Sequence, residues 1–190
     1  MSIQDEFQTV ALIEKSEAET RGVDAFALSL IKAERQLRRL FTHLVFQYPC
    51  FTSGDAIPLR EALTANTKVY SEGLIAGFNA IYPKSIKDLI GADFAILERS
   101  LSEATAARNK LFHGQLTARY LKREDLLAYV KSIRQWCELL ATATTNEFGY
   151  DGFARQSYRK ASNPKLHERF RVQLHSMDEF RAFLKNTLAR

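Results

Sequence analysis

The stretch DAFALSLIKAERQLRRLFTHLVFQY, residues 24–48, limits what this chain can become more than any other. Phe26, Leu30, Ala33, Leu37, Leu40, Phe41 and Leu44 recur at the spacing of one helical face. Asp24 is the expected N-cap, and Pro49 ends the run because proline cannot continue a helix. Lys32, Arg35 and Arg39 are expected on the outer face, with Glu34 and Arg38 four apart and able to pair. A helix this long with one apolar side must be covered by other apolar faces, and the remaining sequence supplies them as further helices.

Residues 2–20 predict a more polar helix, with a capping-box variant at Ser2 and Asp5 and a narrow stripe of Phe7, Val10 and Ala11. Gly22 is expected to break it. Helical segments are predicted at 58–66 and 67–81, interrupted by Gly73 and Gly77. Another runs from Gly91 to Phe112, with Asp93 near its start and Gly114 as a left-handed C-cap. Leu126, Val130, Ile133, Cys137, Leu140 and Ala141 stripe a helix over 122–146. The reading is mainly all-α, a bundle of four or five helices over residues 1–150, with Gly149 and Gly152 at its boundary.

Residues 151–190 are expected to be an appendage and not an independent domain. RFRVQLH (169–175) alternates strictly, with Phe170, Val172 and Leu174 on one side, which is the period of a strand. FARQSYR (153–159) is the nearest partner for a small β-hairpin, with Asn163-Pro164 in the connection. SMDE (176–179) is a capping box opening a last helix through Leu188.

Charge separates these parts. Residues 1–150 hold 18 Lys+Arg and 18 Asp+Glu, whereas 151–190 hold 9 and 4, so the whole excess of +5 sits in the last segment. A basic tail on a neutral body suggests an acidic partner, nucleic acid first, although a solvated basic surface gives the same count. Cys50 and Cys137 form no CxxC pair and read as unpaired thiols in a reducing compartment. The first ten residues, MSIQDEFQTV, lack the basic and apolar regions of a signal peptide, and no apolar run is long enough for a membrane span. A cytoplasmic protein is expected. No HExxH, EF-hand loop, P-loop, GxGxxG or serine elbow occurs, and the His and Cys residues show no zinc-like spacing. No metal or cofactor is expected.

One stretch carries chemistry: RNKLFHGQ, residues 108–115. At about 100° per residue, Arg108 falls among Phe94, Leu97, Leu101, Ala104 and Leu111. A guanidinium in an apolar stripe needs a carboxylate (Glu34 is a candidate), a second subunit or an anionic ligand. His113 lies about 140° further round a continuous helix. For both to reach one atom, either the helix unwinds at 112–114 or two copies converge. Arg and His with four or five residues between them also occur at Arg38/His43, which reads as an exposed helix face, and at Arg169/His175, which reads as charge on a strand or its end. What distinguishes Arg108/His113 is Asn109 directly after the Arg and Gly114 directly after the His, at the end of a long helix.

This RNKLFHG pattern resembles the HEPN superfamily of small all-α proteins, many of which carry an Arg–Asn pair, three to five residues and then His. The helix with AERQLRRLF (33–41) looks like their long first core helix, and the resemblance covers roughly residues 24–146. It implies a metal-independent endoribonuclease working as a homodimer, with Arg108 and His113 of both subunits lining one cleft. It also implies a place among toxins of toxin–antitoxin modules or abortive-infection effectors, with a cognate antitoxin as a partner. Histidine serves as acid or base near neutrality, arginine forks onto phosphate oxygens, and Asn109 is a positioning residue. The implied products are a 2′,3′-cyclic phosphate and a 5′-hydroxyl. Members modified by a partner nucleotidyltransferase carry Tyr two positions after the His. Gln115 stands there, and Tyr120 is too distant, so that modification is not expected. A non-catalytic helical interaction module and a HEPN-like nucleotide-binding protein are the alternatives.

In the tail, Arg155, Arg159, Lys160, Arg169 and Arg171 are interleaved with aromatics and are the expected RNA-binding residues. The competing reading is a hairpin that packs by its apolar face and is merely soluble on the other.

Overall fold

A computed structural model describes residues 3–65, 71–113, 121–154, 157–161 and 164–188. The fold is all-α, as the periodicities predict. The helices are α1 (Ile3–Lys15), α2 (Arg21–Phe46), α3 (Ala56–Ala65), α4 (Ser71–Ile81), α5 (Ile86–Ile90), α6 (Phe94–Phe112), α7 (Arg123–Phe148) and α8 (Met177–Thr187). Short 3₁₀ turns lie at Ser53–Asp55, Gly91–Asp93 and Leu166–Arg169. No helix among the described residues is long and apolar enough to cross a membrane. Ser2, Gly114, Gln115, Tyr120, Arg155 and Asn163 lie outside the described residues.

The chain divides into two compact units. The first comprises Met1–Ala33 and Ile90–Leu140, and the second Glu34–Leu89 and Ala141–Arg190. Residues 151–190 thus lie in the second unit with 34–89 and 141–150.

In the first unit α1, the start of α2, α6 and most of α7 enclose Phe7, Val10, Phe26, Leu30, Leu97, Leu101, Val130 and Trp136. Phe26 meets Tyr129 with ring centroids 5.9 Å apart, and Phe94 meets Trp136 at 5.7 Å. Lys32 was expected to face solvent but is 8% exposed. Its Nζ donates to Glu6 Oε1 at 2.9 Å and lies 5.9 Å from the Phe7 ring centre. The pairing makes burial of both charges tolerable. Gly22 does not break the chain, because α2 starts at Arg21, three residues before the expected cap. Asp24 instead receives the Thr20 hydroxyl at 2.7 Å.

In the second unit α8 packs on α4 and α3. Gly73 and Gly77 do not interrupt α4. A Cβ on Gly77 would sit 2.8 Å from Phe41 Cε2 and 3.0 Å from Leu188 Cδ1, so this glycine permits a close approach within a continuous helix. Ser176 caps α8 by accepting from Glu179 N–H at 3.2 Å, while Glu179 Oε2 accepts from His175 N–H, one residue beyond the reciprocal bond of a standard capping box.

The expected hairpin is absent: no strand occurs among the described residues of 153–159 or 169–175. The alternation still sets the faces, since Phe170 and Leu174 are buried while Arg171, Gln173 and His175 are exposed. The turn after α2 and the end of α4 supply its backbone partners. Tyr48 OH donates to Val172 O at 2.6 Å, Cys50 Sγ to Leu174 O at 3.3 Å, and Arg171 N–H donates to Ile81 O at 2.9 Å. With these groups satisfied, the segment needs no partner strand.

A polar ladder along α2 and just past its end holds the segment that precedes it. Gln36 Nε2 donates to Asp151 O, Arg39 Nη1 to Phe153 O, and Gln47 Nε2 to Arg159 O, at 3.1, 2.7 and 3.1 Å. His43 Nδ1 lies 3.2 Å from Ser157 O. His43, expected on an exposed face, is 3% exposed and stacks on Phe148 and Tyr150. Both cysteines are free thiols.

Candidate functional site

Helix α6 forms because alanine and leucine dominate it and no proline interrupts it. Leu97, Leu101, Ala104 and Ala107 make its buried stripe. Tyr129 OH, on α7, donates to Glu103 Oε2 at 3.4 Å and Gln135 Nε2 to Asp93 Oδ2 at 3.4 Å, which ties α6 to α7 within the first unit.

Burial fades after Ala107. Arg108 and Leu111 are half-buried, whereas Asn109, Phe112 and His113 are exposed. The guanidinium expected at the centre of the apolar stripe therefore sits at its edge, on the last turns. It forks onto its neighbour: Arg108 Nε and Nη2 donate to Asn109 Oδ1 at 3.2 and 3.1 Å. One carboxamide oxygen accepting two N–H groups fixes the plane of the guanidinium.

His113 is the C-cap of α6, with φ −93° and ψ 9°, and its N–H bonds to Asn109 O at 3.2 Å. The backbone is thus helical through Phe112, and among the described residues of 112–114 no unwinding turns the imidazole toward Arg108. By helical angle His113 lies about 140° from Arg108 and about 40° from Asn109. One copy presents both groups on the same turns, but on different bearings.

Of the expected tail residues, Lys160, Arg169 and Arg171 make contacts within the second unit. Lys160 Nζ donates to Phe46 O at 2.5 Å and Tyr48 O at 2.9 Å, and sits 5.0 Å from the Phe46 ring centre. It caps the C-terminus of α2, where a cation is favoured. Burial lowers its pKa, with Cys50 acting the other way. Arg169 Nη2 is 3.5 Å from Glu147 Oε2, and its guanidinium lies over Tyr82. Glu147 also accepts from Lys84 and from Tyr82 OH, and the Lys84 bond is the main reason its carboxyl sits below the usual range. Arg171 Nη2 donates to Pro83 O at 2.6 Å. Arg159 is exposed. Lys160, Arg169 and Arg171 do not form one stripe. Arg169 and Arg171 flank the 81–84 turn, while Lys160 closes α2.

Among the described residues no group of three or more His, Cys, Asp or Glu side chains could hold a metal ion. No protein-family model matches the sequence, and comparison with curated proteins and with solved structures gives no match either.

Proposed function

We propose that the chain is a metal-independent endoribonuclease of the HEPN kind, acting as a homodimer, and that it serves as a toxin or phage-defence effector held in check by a cognate antitoxin. The observation that carries this reading is the end of α6, where Arg108 forks onto Asn109 and His113 stands exposed less than two turns away.

In the proposed reaction a histidine takes the proton of a ribose 2′-hydroxyl. The 2′-oxygen forms a bond to the adjacent phosphorus, and the bond from phosphorus to the 5′-oxygen breaks. A second acid protonates that 5′-oxygen, leaving a 2′,3′-cyclic phosphate and a 5′-hydroxyl. Arg108 supports the charge on the phosphorane, and Asn109 holds the guanidinium plane. The divergence of Arg108 and His113 on one helix favours a site completed by two copies. His113 of one copy would then act as the base beside Arg108 of the partner subunit, with water as the acid. The alternative, a non-catalytic helical module with Arg108 in a structural ion pair, predicts instead that Arg108→Ala lowers stability.

Purified protein incubated with total RNA in EDTA is the test. Cleavage with cyclic-phosphate ends is expected, lost in Arg108→Ala and in His113→Ala, both of which melt within a few degrees of wild type. A folded wild-type protein that leaves RNA intact counts against the reading. So does an Arg108→Ala protein that unfolds.

A further inference from the structure

His43 closes a slot that the ribonuclease reading does not use. Its ring stacks on Phe148 and Tyr150, with centroids 5.7 and 4.6 Å away and planes 21° and 18° from parallel. A carbonyl oxygen can only accept, so the 3.2 Å contact between Nδ1 and Ser157 O puts the ring's single N–H on Nδ1. Nε2 is then a lone pair, buried and without a hydrogen bond. Ionisable groups on the surrounding elements are bonded elsewhere. On α2, Arg39 donates to Phe153 O. At the end of α7, Glu147 accepts from Lys84 and Tyr82. Beyond it, Tyr150 OH donates to Ala154 O, Asp151 Oδ1 accepts from the N–H groups of Phe153 and Ala154, and Lys160 caps α2. Arg35, Arg39 and Asp151 act on the Tyr150 hydroxyl, whereas burial and the Ser157 bond set the state of His43.

One wall of this slot is able to leave. Residues 149–154 and 157–161 form no helix or strand. Gln36, Arg39, His43 and Gln47 hold them by bonds to backbone carbonyls. Gly149 and Gly152 stand at φ 76° and 80°, so the chain leaves α7 through two glycine joints. We propose that His43 is an acid-sensitive latch: a proton on Nε2 drives the Tyr150 and Ser157 side of the slot off α2 while the helices stay folded. In the closed slot that proton adds a charge and an N–H with no acceptor, which is costly among apolar rings. In the open slot water solvates both. Local opening is the shorter route, because an irregular segment held by side-chain bonds opens below the free energy that unfolds the helices beneath it. The neutral ring keeps the segment closed, with Tyr150, Phe153 and Ser157 all buried. The latch lies within the second unit and does not depend on the ribonuclease reading.

The test is hydrogen exchange of the full chain, read by mass spectrometry at pH 7.5, 5.5 and 4.5 and corrected for intrinsic rates. In wild type, peptides carrying 150–154 and 157–161 should open about tenfold more often at pH 5.5 than at pH 7.5, and roughly eightyfold more often at pH 4.5. Over the same range α2 and α7 hold their protection. His43→Gln, which can still donate to Ser157 O but does not titrate, is expected to keep those peptides closed at every pH. Equal acceleration in α2 and α7 overturns the inference, because it means that the whole chain unfolds. Exchange in these peptides that ignores pH overturns it too, as does acceleration that persists in His43→Gln. Should that substitution leave the segment open already at pH 7.5, the wild-type pattern, selective or uniform, decides by itself.

Discussion

The His43 ring lies among Phe148, Tyr150 and the Ser157 carbonyl, with Nε2 making no hydrogen bond. Burial holds its pKa down at about 4, against an ordinary value of 6.5, and the bond to Ser157 offsets only part of this. Above pH 6.5 the ring is neutral in both folded and unfolded chains and contributes no pH dependence. Between 6.5 and about 4 the unfolded chain binds a proton that the folded chain refuses, so stability falls as pH falls. The gap corresponds to a loss of about 3 kcal/mol, levelling off once the folded ring also titrates. Urea unfolding at pH 7.5, 5.5 and 4.5 should show that decline in wild type and a much flatter one in His43→Gln. Equal slopes would mean that other groups carry the acid sensitivity. Residue identity was a poor guide to this position. Arg38 and His43 share the spacing of Arg108 and His113, yet His43 is buried and His113 is exposed. Spacing places a side chain on a helix, whereas burial depends on what covers that helix, and here the cover comes from residues more than a hundred positions away.

At the scale of elements, period and punctuation located the helices well because a one-sided helix advertises its buried face. They misjudged positions where one element approaches another closely. Gly73 and Gly77 read as interruptions because glycine lowers helix propensity. At Gly77 its purpose is contact with Phe41 and Leu188. Phe41 has little room to withdraw, since its ring also stacks on Phe180 and Phe183. Gly77→Ala gains a fraction of a kcal/mol in helix propensity but forces that packing apart, for a net loss of about 1–2 kcal/mol. A lower urea midpoint at unchanged m-value is the expected result, and a variant as stable as wild type would show that the contact yields easily. The alternation at 169–175 was legible in the same partial way. It predicted which residues face inward, but not that a turn side chain, Tyr48, and a helix-end carbonyl, Ile81, would replace a partner strand. The polar ladder of Gln36, Arg39, His43 and Gln47 was not legible, since Arg39 and His43 read as outward-facing positions. Only the fold reveals that it clasps backbone carbonyls.

At the scale of the molecule the open question is how many copies make one site. A helix intact through Phe112 separates Arg108 and His113 by about 140°, so one copy aims them in different directions. If the proposed nuclease joins Arg108 of one subunit to His113 of its partner, two inactive variants should complement each other. Arg108→Ala keeps a sound His113, and His113→Ala keeps a sound Arg108. In a mixed dimer these two surviving groups face each other across the two-fold axis. Random mixing makes about half the dimers mixed, each holding one of the two original pairs, so about a quarter of wild-type activity should return. The variants are refolded together from urea and assayed on RNA in EDTA, beside each variant refolded alone. Recovery in the mixture only would establish a pair formed between subunits. No recovery, with mixed dimers demonstrated by differently tagged chains, would mean that Arg108 and His113 must belong to the same chain.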